Sequence, residues 1–285
     1  MSTTLDIYTF RTRSVIALVA STLVSAVGFL WPFFIDAGTT HRGAFNEMFF
    51  YLALPVALTV LILELSNKGL DVKSVALLGV LAAVTAALRP LGAGAIGLEP
   101  MWFILILSAR VFGPAFGFVL GIVSLFVSAI FTGGFGPWLA YQMFAAGWIG
   151  LGAGLLPKKI LGRTIRGWSE IILLMVYGIF AALLFGLLMD LQFWPWAIGT
   201  QTQLSYIAGA NISENAHRFI IFHFATAMAW DIPRAIFTSL LILLAAPSVL
   251  SALRRTHRKA AFLSPIEFRE IRATTTSREI RQTEL

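Results

Sequence analysis

The chain contains no cysteine. That removes disulfides, thiolate metal sites and cysteine nucleophiles together, though it leaves the redox compartment open. Charge is scarce as well: Asp, Glu, Lys and Arg make up only 12% of the 285 residues, about half the share of an ordinary soluble domain. The four histidines, His41, His217, His223 and His257, do not cluster at metal-ligand spacing, so neither a metal nor a cofactor is expected. No Walker loop, HExxH or GxSxG is present, so the chain cannot hydrolyse ATP itself and shows no catalytic constellation.

What the chain has in abundance is apolar length. Hydrophobic residues make up 58% and the mean hydropathy is +0.83. Apolar runs of roughly 18 residues or more recur, long enough to cross a hydrocarbon core of about 30 Å as helices. The expected class is an all-α integral membrane protein, multi-pass in the cell membrane. Spans are expected near 14–35, 48–65, 74–88, 101–109, 115–131, 139–156, 170–189 and 219–244. The first is too long for a signal-peptide core and lacks a clear cleavage site, so it reads as a retained span. A long connection, 190–218, carries Trp194, Trp196, Tyr206 and a dense polar cluster. The last span is interrupted at Asp231-Ile232-Pro233-Arg234, and the tail from 250 onward reads as poorly ordered or frayed helix.

Eight spans put both termini on one side. If that side is cytoplasmic, it holds all of the 21 Lys and Arg except Arg42, Arg89, Arg218 and Arg234. The formal charge of +7 is then a positive-inside bias, and a nucleic-acid partner is not implied.

The informative side chains are those that lipid makes costly. Arg89 ends a small-residue helix and precedes Pro90, Gly92, Gly94 and Gly97. It either snorkels to the interface or lines a polar cavity, since non-helical backbone at membrane depth must be buried or face one. Asp231 and Arg234, three apart, can pair on one helical face, as a structural ion pair or as part of a site. His223, about two turns away, would share that stripe. Trp138 and Tyr141 follow GGFGPW and fit an interfacial aromatic belt, whereas Gln142, an amide one turn deeper, wants a partner. Gly79, Ala83 and Ala87 form one small-residue row and Ala82 and Ala86 another. Such rows serve packing within the chain or docking of a second protein equally well.

Ala82-xxx-Ala86 and Ala83-xxx-Ala87 on a helix leaving the cytoplasm, a long outward loop, a short next helix and GGFGPW together resemble S components. These are the substrate-binding integral subunits of energy-coupling factor (ECF) vitamin importers. The run ARVFGPAFGFVLGIVSLFVSAIFTGGFGPWLAYQMFAAGWIGLGAGLLP carries the resemblance most specifically. It implies a six-helix core over 70–250, an added helical pair over 1–69 and a basic cytoplasmic tail over 251–285. It further implies that the protein is not an enzyme. A vitamin would be captured from outside in a cavity beneath the first, third and fifth outward loops of the core. A transmembrane coupling subunit and two cytoplasmic ATPases would complete the importer.

By the same resemblance, Ala82, Ala83, Ala86 and Ala87 would meet the coupling subunit. Arg89, Glu99, Trp138, Tyr141, Gln142, Asp190, Asn215, His217 and Trp230 would meet the substrate. The length of the 190–218 connection, with a resemblance to cobalamin-type S components, suggests a corrinoid. Thiamine-type pyrimidines, folates and queuosine precursors come next. Two other classes stay open: a lipid-modifying intramembrane enzyme using His223, Asp231 and Arg234, and a non-transporting scaffold.

Overall fold

A computed structural model describes residues 12–34, 59, 72–92, 97–197 and 202–261. The expected span 48–65 falls outside them except for Thr59, which is helical. Helix α1 covers Thr12–Phe34 and α2 covers Val72–Leu88. Helix α2 stops where Pro90 removes a backbone donor and the chain enters a 3-10 turn, Pro90–Gly92. Helix α3, Met101–Phe112, has 12 residues and is only about 18 Å long at 1.5 Å per residue. Gly113 closes it at φ 99° with its N–H on the Ala109 carbonyl, and Pro114 opens α4, Pro114–Thr132. Proline at the first helical position costs no hydrogen bond.

Helix α5, Trp138–Leu155, is the main partner of α4. The seam between them is made of small residues: a Cβ on Gly117 would overlap the Gly150 carbonyl, and one on Gly121 the Ala146 carbonyl. Close backbone approach of this kind is how helices associate where lipid removes the hydrophobic drive between them. The charged connection after α5 forms a small antiparallel hairpin, β1 (Lys159–Ile160) against β2 (Arg163–Thr164). Its turn residues Leu161 and Gly162 both have positive φ, 48° and 77°, as a primed two-residue turn requires.

Helix α6, Trp168–Ala197, is 30 residues long. The expected connection from 190 is therefore helical through Ala197. Its aromatic and amide residues continue the helical spacing of the preceding run. A second helix, α7 (Ile212–Thr226), starts at Asn211, whose side chain accepts from the Glu214 N–H, an N-cap worth about 1 kcal/mol. The final helix, α8, spans Met228–Ala261. The interruption expected at Asp231–Arg234 lies instead at Ala227, between α7 and α8. Pro233 falls in the second turn of α8, where it leaves the Ala229 carbonyl without its helical donor. The expected frayed tail begins as ordered helix through Ala261.

Among the described residues, Val75–Gly92, Pro114–Thr132, Trp168–Trp196 and Met228–Arg258 are long and apolar enough to cross a membrane. The chain is thus an all-α membrane protein. Helix α4 packs on α2, α3 and α5, α8 packs on α6 and α3, and α1 lies against α5, α6 and α7. Tyr141 on α5 donates to the Gly28 carbonyl of α1 at 3.1 Å, and the Trp148 indole donates to Thr22 at 3.2 Å.

At the end of the bundle that the basic loops place inside, Glu170 is 2% exposed and engaged on both oxygens. Arg110 Nε donates to it at 2.9 Å, and Arg254 Nη2 reaches its two oxygens at 2.7 and 2.6 Å. Arg110 Nη1 also donates to the Leu156 and Pro157 carbonyls. This clasp ties α3, the end of α5, α6 and α8 together.

Candidate functional site

At the opposite end, which the same distribution of basic residues places outside, a second set of ionisable groups converges from far apart in the chain. The loop before α3 brings Gly97, at φ 68°, against the α8 backbone. A Cβ there would overlap the Trp230 carbonyl and the Arg234 nitrogen. Only glycine tolerates both that conformation and that approach. The approach sets Glu99 between two donors: the Trp102 indole at 2.6 Å and Arg234 Nε at 3.2 Å. Arg234 turns its Nη1 to Asp231 Oδ1 at 2.6 Å, and its guanidinium lies over the Phe185 ring, 5.1 Å from the centroid.

Asp231 is only 1% exposed. Its carboxylate lies flat against Gly186 of α6, where any Cβ would overlap it. Its second oxygen, Oδ2, has no hydrogen-bond partner. One turn further along α6, Asp190 Oδ2 accepts from Thr226 at 3.4 Å and pairs with His223 Nδ1 at 2.9 Å. Between these groups is a cavity of about 400 Å³, lined by Met189, Phe193, Phe222, Thr226, Trp230 and the acids Asp190 and Asp231. Two carboxylates and one guanidinium, that of Arg234, line it, so an anionic guest meets net repulsion. Aromatic walls with a few convergent polar groups are the usual composition of a small-molecule site. Among the described residues, no group of three His, Asp or Glu is placed to hold a metal ion.

The structure thus gathers Glu99, Asp190 and Trp230 of the expected substrate residues and adds His223, Asp231 and Arg234 to them. It does not bring in the others. Arg89 reaches across to Gln142 Oε1 at 2.9 Å and to Ser128 at 3.5 Å, tying the end of α2 to α4 and α5 away from the cavity lining. Tyr141 is spent on the Gly28 carbonyl. Asn215 exchanges two hydrogen bonds with the Ile207 backbone, at 3.1 and 2.8 Å, which braces the turn before α7. Trp138 and His217 are exposed and line no part of the cavity. Gly186, Met189, Phe193, Phe222 and Thr226 were not among the expected residues. The helical spacing of Gly186, Asp190 and Phe193 along α6 is the signal that points to them.

The two alanine rows of α2 are separated by packing. Ala82 and Ala86 are 1% and 0% exposed, within the packing of α2 against α4 and α3. Their side chains therefore face into the bundle, whereas docking on a coupling subunit was expected of all four alanines. Gly79, Ala83 and Ala87 are exposed.

A family model described as "ECF-type riboflavin transporter, S component" matches residues 69–229, more than half of the chain. No curated protein and no solved structure matches it. The matched segment takes in α2 to α7, the α6 and α7 walls of the cavity among them, and ends just before Trp230, Asp231 and Arg234.

Proposed function

The chain belongs to the S-component family of ECF-type riboflavin transporters, and from that premise we propose that its vitamin is a flavin, bound in the cleft between α6, α7 and α8. S components are substrate-specific membrane subunits of vitamin transporters, not enzymes. They act with a transmembrane coupling subunit and ATPases. The observation that carries the assignment to this cleft is the convergence of Asp190, His223, Asp231 and Arg234 around a cavity with aromatic walls.

The size of the cleft supports a flavin over a corrinoid. About 400 Å³ lies toward the small end of the 300–1,000 Å³ usual for drug-sized ligands, whereas a corrinoid is a far larger molecule. Phe193, Phe222 and Trp230 suit a planar ring system, since offset and edge-on aromatic contacts add about 0.5–1.5 kcal/mol each beyond burial. The polar edge of such a ring suits the acids behind them.

Docking on the coupling subunit is assigned to the exposed row Gly79, Ala83 and Ala87, continued by Val80 and Val84. The unit 70–250 acts as the transporting core, and α1 braces it through Tyr141 and Trp148. The test is the ligand that copurifies with the detergent-solubilised protein, identified by absorbance and mass spectrometry. A flavin at near one equivalent is expected. A corrinoid without flavin would overturn the assignment. Leucine at Ala83 and Ala87 is expected to block uptake and leave binding intact.

A further inference from the structure

The unpartnered oxygen of Asp231 is the feature of the cleft that packing within the chain does not explain. A carboxylate this deeply buried is normally satisfied on both oxygens, because an unpaired one forfeits its water without replacement. Glu170, at the inner end of the same bundle, shows the satisfied state. In Asp231, Oδ1 is held by Arg234 while Oδ2 has no donor. The residue nonetheless lines the cleft. Oδ2 itself lies against Gly186, closed to water, in space that any side chain there would fill, and an aspartate's final torsion is soft enough to turn it from that contact to a guest.

We infer that Asp231 is the specificity-determining acceptor of the site. It takes an N–H from the edge of a neutral planar heterocycle whose faces rest on Phe193, Phe222 and Trp230. The aromatic lining suits a flat ring. The free oxygen requires a donor in the plane of that ring. The carboxylate of Asp190, on the same lining, disfavours an anion. The inference rests on the flavin reading of the cleft, and in a flavin the ring donor is the imide N3–H. Asp231 lies beyond the segment that the family model matches, so its role is argued from geometry alone.

The test uses the full-length protein, freed of bound ligand in detergent, titrated with riboflavin and with N3-methylriboflavin by flavin fluorescence. A hydrogen bond to a charged acceptor corresponds to about 10–100-fold in affinity, so the methylated compound is expected to bind that much more weakly. In the Asp231→Ala variant the two compounds should bind alike, because the group that distinguishes them is gone. The wild-type comparison needs no substitution and stands even if the variant does not fold. Equal affinity of the two compounds for the wild-type protein would overturn the role of Asp231 while leaving the flavin reading intact. Failure of riboflavin itself to bind would overturn that reading instead.

Discussion

Helices α3, α6 and α8 each contribute polar side chains at both ends, and the two ends are built to opposite specifications. At the inner end, Arg110, Glu170 and Arg254 form a closed triad. Both oxygens of the one acid are occupied, and the nearby Leu156 and Pro157 carbonyls absorb a further donor. At the outer end, Trp102, Glu99, Arg234 and Asp231 form a chain that stops at an oxygen with no partner, beside a cleft. The same three helices are bolted at one end and left with unspent hydrogen-bonding capacity at the other. Removing one partner from a complete buried ion network leaves a stranded charge. An incomplete network beside a cavity asks for a guest. The difference assigns stability to the inner end and recognition to the outer one.

The comparison breaks most sharply at Glu170. Glu170→Ala leaves the buried Arg110 with two carbonyl acceptors but no counter-charge, and a loss of about 3–5 kcal/mol is expected, read as a marked fall in melting temperature of the detergent-solubilised protein. Asp231→Asn should behave the other way round. Riboflavin affinity is expected to fall by about 10–100-fold, with a smaller shift in melting temperature than Glu170→Ala causes. Phe193→Ala sharpens the picture of the walls: losing one aromatic face, worth about 0.5–1.5 kcal/mol, should weaken riboflavin binding by no more than about tenfold. The smallest effect is expected from Arg254→Ala. It takes the donor from Glu170 Oε2 but leaves Arg110 on Oε1, and the 35% exposed side chain lets water into its place. Thermal unfolding should place it well above Glu170→Ala.

Most of the helices were legible because their apolar runs were long enough to need a helical backbone, whereas α7 and α8 were read as one span. The Asp231–Arg234 contact was legible because three residues is a local spacing. The Asp190–His223 contact was not, since it depends on α7 running back along α6 after a connection whose geometry no periodicity reports. Reading 190–197 as a loop came from its aromatic and amide content. Those residues simply continue the same helix, with Phe193 on the face of Gly186 and Asp190. Nothing in the sequence marks Glu170, because its partners lie 60 and 84 residues away. The two alanine rows could not be ranked from sequence, as α2 is apolar on every face. Only burial in the folded bundle shows that Ala82 and Ala86 are inside and Ala83 and Ala87 outside. Gly117 and Gly150, on the other hand, proved to be the closer small-residue seam.

The claim that the outer cleft, and not the neighbouring Arg89–Gln142 contact, receives the vitamin is tested most directly by one set of riboflavin titrations. Wild-type protein, Gln142→Ala and Asp231→Asn would be compared under identical conditions. The wild-type and Gln142→Ala proteins are expected to bind alike, with Asp231→Asn weaker by about 10–100-fold. Binding abolished by Gln142→Ala and unchanged by Asp231→Asn would contradict the account.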